Sequence, residues 1–228
     1  MRRTVVAIIA GVALAAFLAG PGAAADAGRK VTIAQLKYQG GGDWYANPTG
    51  LPNLLEALRS RTDIDAAAEP ATVSPGSDEL FLYPMVYMTG HGRVFFDDEE
   101  VERLRRYFDR GGFLWADDNY GMDASFRVEI AKVLPEDPLV ELPFDHGIYH
   151  SFYDFPTGLP KIHEHDGGPP RGYGIFHNGR LAVFYSANTD IGDGMEDPEV
   201  HHDPPEKREA ALRMGVNVLV YALTPAGP

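Results

Sequence analysis

The chain has 228 residues, 20 Lys and Arg against 33 Asp and Glu, a formal charge of −13 and no Cys. So acidic a chain is a poor binder of nucleic acid or of anionic membrane surfaces. Without Cys there is no disulfide, no thiolate nucleophile and no Cys-ligated metal.

Residues 1–25 read as a secretory signal peptide. Arg2 and Arg3 form a charged start, and Val5 to Leu18 is apolar. That run is shorter than the roughly 20 residues that span a bilayer. Pro21-Gly22 breaks it, and Ala23-Ala24-Ala25 offers small residues for cleavage. The expectation is an exported protein, periplasmic or extracellular, with no membrane span after cleavage and one α/β domain over residues 26–228.

Val31 to Tyr38 reads as the first strand, with the mixed pattern of a buried parallel strand. A Gly-rich turn, Gly40-Gly41-Gly42-Asp43-Trp44-Tyr45, leads to a helix over Leu51 to Arg61. That turn is neither GxGxxG nor a P-loop. Ala71-Thr72-Val73 reads as a short strand. Met85 to Met88 is an apolar strand that stops at Thr89-Gly90-His91-Gly92. Asp97 to Arg110 has helical spacing, with an acidic start and Gly111 as its stop. Phe113 to Ala116 is a further strand, ending in Asp117-Asp118-Asn119-Tyr120-Gly121. Two strands joined by a helix make a right-handed parallel crossover. His91 and Asp117-Asp118-Asn119 then fall at one edge of the sheet, where ligands bind in open parallel sheets.

Asp123 is expected to cap a helix to Leu134, and Leu139 to Leu142 to form a strand. Pro143 to Arg171 holds no periodicity and reads as an ordered excursion over the sheet edge. Within it His146 and His150 read as turn and packing residues. Tyr173 to Ser186 is a β-hairpin around Asn178-Gly179, with His177 expected to be exposed. Asn188 to Pro205 is acidic; Asp190, Asp193, Glu196 and Asp197 lack EF-hand spacing, and the loop reads as solvated. A helix over Glu206 to Leu223 closes the chain.

The segments LKYQGGGDWYANP, LYPMVYMTGHG, GGFLWADDNYGMD, LPKIHEHDG and DPEVHHDPPEKREAALRMGVNVLVYAL resemble the bacterial family catalogued as domain of unknown function 4159. The likeness covers nearly all of Val31 to Leu223. It implies the class I glutamine amidotransferase-like fold, a flavodoxin-like three-layer α/β/α sandwich with a mostly parallel sheet and an added β-hairpin. Asp145-His146-Gly147-Ile148 is similar to a turn of that superfamily, with Gly147 in place of Pro. Amidotransferases of this fold use a Cys nucleophile, which this chain lacks, so only the scaffold carries over. The family implies no activity.

Two functional readings stand. One is a module binding a small polar ligand or an envelope protein partner at the strand ends, through His91, Asp117, Asp118, Asn119, Tyr120 and Glu164, with Asp43 and Trp44 beside them. The other is a metal-assisted hydrolase acting on an envelope carbohydrate or amide. A divalent metal there would sit on His91, Asp117, His163 and His165, residue types that suit zinc, manganese or iron. His163 and His165 are two apart, so an extended chain points them the same way. Without metal, Asp118, Glu164 and Asp166 could supply a carboxylate pair. Because Asp117 and Asp118 are adjacent, only one can face a crevice, and the other is left to cap a turn.

Overall fold

The computed structural model describes residues 30–165 and 167–224. Residues 1–25, expected to be a signal peptide, and Asp166 lie outside them. In chain order the elements are β1 (Ala34–Leu36), α1 (Gly50–Arg61), β2 (Ala71–Val73), β3 (Met85–Gly90), α2 (Asp98–Asp109), β4 (Phe113–Asp118), α3 (Asp123–Val133), β5 (Val140–Glu141), β6 (Arg171–His177), β7 (Arg180–Ala187), α4 (Ile191–Gly194), α5 (Pro198–His201) and α6 (Pro205–Leu223). Among the described residues no helix is long and apolar enough to cross a membrane.

The strands form one sheet in the order β2-β1-β3-β4-β7-β6-β5. β2, β1, β3, β4 and β7 run parallel. β6 and β5 extend it antiparallel. The architecture is the expected α/β/α sandwich, because period-2 alternation sends successive side chains to opposite faces. Met85, Tyr87, Phe113 and Trp115 join α1 and α6 in one core. Val86, Met88, Leu114 and Ala116 join α2 and α3 in the other.

Local chemistry sets the element ends. Asp97 accepts the Glu100 N–H at 2.9 Å, and Glu100 reaches back to the Asp97 N–H at 3.2 Å, so a full capping box starts α2. Arg105 on α2 donates to the carbonyls of Lys132 and Val133 and ties α2 to the end of α3. The Asn178-Gly179 turn has both residues at positive φ, as a tight hairpin requires.

Three sequence expectations change. The first strand is short, because Val31 makes only an isolated bridge to Ala66 and Gly40, at φ 111°, turns the chain away. Asp123 does not cap α3; it is the first helical residue, and its carboxylate instead accepts from Arg127 and Tyr185. His177 is not exposed. Its ring is mostly covered, with Nδ1 2.6 Å from Asp137 and Nε2 2.8 Å from Asp109, so it pins the hairpin to the ends of α2 and α3.

These two carboxylates, Asp109 first, raise the His177 pKa. A raised His adds stability that is present below its unfolded value and lost as pH rises through the folded one. His177→Ala should therefore destabilise the protein more at pH 6 than at pH 9 in urea titrations. Equal losses at both values would rule out the ionic pin.

Candidate metal centre

β3 and β4 pair in register, Thr89 opposite Asp117 and Gly90 opposite Asp118, so both end at one edge of the sheet. Adjacent residues face opposite ways. Asp118 turns towards the α3 face. Its Oδ1 accepts the N–H groups of Tyr120 and Met122, both at 3.0 Å, and its Oδ2 accepts the Tyr185 hydroxyl at 3.2 Å. It is the turn cap of the adjacent pair. Asp117 turns the other way and is fully buried. It accepts the Ser186 hydroxyl, and the Gly192 N–H at 2.7 Å. The Trp115 indole N–H holds Ser186 at 2.9 Å. Burial raises the Asp117 pKa to about 8, the Ser186 and Gly192 bonds pull it down, and Asp190 and Asp193 push it up.

Asn119 is also fully buried. It accepts from Thr89 at 3.0 Å and donates to Asn47 at 3.0 Å and to Asp193 at 2.9 Å. Its amide thereby fixes one oxygen of Asp193 on α4.

The stretch expected to be a solvated acidic loop folds instead into α4 and α5, and packs its carboxylates inward. Asp190, Asp193 and Glu196 are buried, and the Asp203 carboxylate is nearly so. Asp190 sits at φ 57° just before α4. Its pKa is raised by burial first and by Asp193 next. Gly192 lets α4 sit directly on the sheet edge. A Cβ there would lie 2.2 Å from Asn47 Nδ2 and 2.7 Å from the Tyr87 hydroxyl.

Three histidines meet these acids. His163 has Nδ1 3.1 Å from Asp193 and 3.5 Å from Asp190, and Nε2 3.0 Å from Asp203. His165 Nε2 contacts Asp190. His201 Nε2 lies 3.0 Å from Glu196 and 3.8 Å from Asp193. Among the described residues, two sets of ligand-type atoms converge within 4.8 Å: His163, His165 and Asp190, and His163, Asp193 and His201. Among the described residues, the ion pairs of Asp190, Asp193, Glu196 and Asp203 are all with histidine.

An unprotonated ring nitrogen and a carboxylate oxygen repel, so each such contact needs a proton or a metal ion between or beside its atoms. Metal bonds of about 2.0–2.2 Å place tetrahedral ligands roughly 3.3–3.6 Å apart. In the first set the 3.5 Å edge from His163 to Asp190 lies in that range while the His165–Asp190 contact is closer, as a proton-bridged pair is; in the second the 3.1 and 3.8 Å edges fall on either side of it. Asp203 at the far nitrogen of His163 is the carboxylate partner that orients metal-bound histidines. Asp190 Oδ1 is buried without a hydrogen-bond partner among the described residues.

The remaining sequence candidates separate. His163 and His165 do point the same way, and Glu164 between them is exposed. His91 belongs to neither convergent set. Gly90 and Gly92, at φ 135° and 85°, turn it outward, where its Nδ1 lies 3.0 Å from Asp43. Trp44 is half-buried, with Lys37 5.4 Å above its ring. Tyr120 is 57% exposed and stacks on His165 with centroids 4.8 Å apart. His146 starts a short 3₁₀ turn and His150 bonds Asp154 and the Phe144 carbonyl, as turn residues do. Sequence reasoning singled out neither His201 nor Asp203 as ligands, and set Asp190 and Asp193 aside. The available signal was the Asp190/Asp193 spacing, one helical turn, followed by His201-His202-Asp203.

Fold and site together define a three-layer α/β/α domain with a histidine–carboxylate cluster over the carboxyl edge of its sheet. Residues 32–223 match the model of one family, and the chain belongs to it: Domain of unknown function (DUF4159). Among curated proteins, none matches the chain.

Folded Asp117 keeps its proton up to about pH 8, whereas unfolded it ionises near pH 4. Stability therefore falls as pH rises across that window and levels off above it. Asp117→Asn, which has no ionisation, should flatten the decline between pH 5 and pH 8 in urea titrations. An unchanged slope would mean that Asp117 is ionised in the fold. Gly192→Ala should cost roughly 1–3 kcal/mol, the usual cost of overpacking, and a wild-type midpoint would contradict the close approach of α4.

Proposed function

We propose that this is an exported domain that holds one divalent transition metal on His163, His165 and Asp190, with Asp193 beside them, and acts as a metal-assisted hydrolase on a polar substrate. The observation that carries it is the convergence of three histidines on carboxylates that are buried without a Lys or Arg ion pair among the described residues. Ion and donor set fit: mixed imidazole and carboxylate ligands suit zinc, manganese or iron. Each three-residue set leaves a coordination position for water, and a bound ion lowers the pKa of that water towards neutrality. Asp203 orients His163, and Asn119 orients Asp193. The cleft beside His165 and Asp190 is the route by which a substrate oxygen reaches the ion.

The scaffold reading that goes with this is amidotransferase-like and flavodoxin-like. It is supported by the parallel order β2-β1-β3-β4-β7, which reverses direction between β1 and β3. Export, to the periplasm or beyond, is supported by the charged and apolar segments of residues 1–25.

A metal-free module binding a small ligand or an envelope partner is the second reading. It is favoured by the fact that both nitrogens of His163 already have carboxylate neighbours, an arrangement that protons alone can hold.

The chain from residue 26, purified without a His tag, should carry about one equivalent of transition metal by elemental mass spectrometry. The His163→Ala/His165→Ala variant should carry almost none. Asp203→Asn should weaken metal affinity by roughly 10–100-fold. No metal in the wild-type chain, even after reconstitution, would sink the hydrolase and leave the binding module.

A further inference from the structure

His91 stands apart from the metal centre and belongs to neither of its convergent sets. It is the first residue after β3, and Asp43 lies on the loop that follows β1. β1 and β3 are neighbours at the place where the strand order reverses, and in open α/β sheets that crevice is where ligands bind. The two loops are joined there backbone to backbone. Asp43 donates its N–H to the His91 carbonyl at 3.2 Å, and Gly42 donates to the Arg93 carbonyl at 3.0 Å. The contact leaves no room for a side chain. A Cβ on Gly90 would lie 2.8 Å from the Asp43 carbonyl oxygen, and one on Gly42 2.8 Å from that of His91.

Asp43 holds His91 with both carboxylate oxygens. One accepts the His91 backbone N–H, and the other lies 3.0 Å from Nδ1. A carboxylate only accepts, so Nδ1 carries the proton and Nε2 keeps its lone pair. Nε2 has no hydrogen-bond or ionic partner among the described residues, and the side chain is 51% exposed. The loops are already joined without the ring, and a pair this exposed adds little stability. Loop anchoring therefore does not account for the imidazole. A ring oriented by aspartate, with its far nitrogen free, is the arrangement of a general base.

The surroundings set the reaction. Asp43 is the one acid in segments 40–46 and 90–93, and both its oxygens are taken. Arg93, over the Phe95 ring, has no carboxylate ion pair among the described residues. Negative charge developing on a carbonyl oxygen is favoured beside such a cation. The two segments hold no Ser, Thr or Cys, so water is the nucleophile. One imidazole must serve as base and then as acid, which suits an ester, whose alcohol leaves more readily than an amine. Trp44 and Tyr45, edge to face at 5.6 Å, add apolar surface next to Asp43.

We propose that His91 and Asp43 form a metal-independent site for hydrolysis of carboxylic esters, with His91 the catalytic base and Asp43 its positioning residue. Nε2 takes a proton from water as the water oxygen bonds to the carbonyl carbon. The tetrahedral oxyanion then breaks its bond to the alcohol oxygen, which takes that proton from the imidazolium, leaving a carboxylic acid and an alcohol. This goes beyond the metal reading and needs no ion.

The test is hydrolysis of p-nitrophenyl acetate by the chain from residue 26, before and after chelator dialysis, with free imidazole at equal concentration as reference. Both preparations should turn over the ester at the same rate, and faster than imidazole. His91→Ala should lose roughly 100-fold in kcat, melt within about 4 °C of wild type, and recover rate when imidazole is added. Asp43→Asn should lower kcat by about tenfold or more with KM unchanged, because an amide donating to Nδ1 selects the wrong tautomer. On the wild-type chain, diethylpyrocarbonate should abolish the rate as His91 is carbethoxylated, and hydroxylamine should restore it. The proposal is overturned if the chain is no faster than imidazole, if His91→Ala keeps the rate, if imidazole does not rescue the folded variant, or if modification of His91 leaves the rate intact. Loss of turnover on chelation would also overturn it and assign the ester to the metal centre. An active chain without bound metal would keep the dyad and remove the metal reading.

Discussion

Negative charge enclosed at the carboxyl edge of the sheet is the constraint on which the rest of this structure depends. Asp117, Asp190, Asp193 and Glu196 are all buried there. A buried carboxylate is tolerated only with a proton, a matched donor set or a cation. Each acid has a different answer. Asp117 keeps its proton. Glu196 takes the Thr49 N–H and hydroxyl on one oxygen and His201 on the other. Asp190 and Asp193 share His163 between them, and there the positive partner is either protons or a metal ion.

The sheet makes this enclosure possible. Parallel strands end together, so the acids of β4 and the helical turn α4 meet at one edge. Alternation then divides the adjacent pair. Asp118 serves the turn into α3, and Asp117 anchors α4 through the Gly192 N–H. Asn119, one residue further, carries the same alignment into the centre. The strand end is therefore a scaffold for the histidines and carboxylates that other segments supply.

Much of the fold was legible because its signals are local. The acidic start of α2, the Asn178-Gly179 turn and the apolar runs of β3 and β4 each specify themselves over a few residues. The division of labour between Asp117 and Asp118 followed from strand alternation alone. The site was half legible. His163 and His165 could be paired by spacing, but their partners lie some 25 to 40 residues on, and acidity there read as solvation. Burial of Asp190 and Asp193 is a tertiary fact, set by how α4 rests on the sheet through Gly192. His91 was placed with the metal set because it ends β3. Two glycines at positive φ decide its direction, and a strand pattern carries no sign of that. His177 read as exposed for the same reason, since its partners Asp109 and Asp137 are remote in sequence.

The hairpin of β6 and β7 has a further consequence. His163 and His165 lie just before it, and Asp190, Asp193, His201 and Asp203 just after. The two flanks are laced together where they leave the hairpin: Ile162 donates its N–H to the Thr189 carbonyl at 2.9 Å, and Lys161 bonds the Asn188 carbonyl at 2.9 Å. The convergent side chains thus belong to one continuous stretch of chain, folded back on itself, while the core of parallel crossovers gives only the floor beneath. Such a stretch can be inherited, lost or exchanged as a unit. Relatives with the same sheet and a different hairpin would then differ in chemistry without differing in architecture.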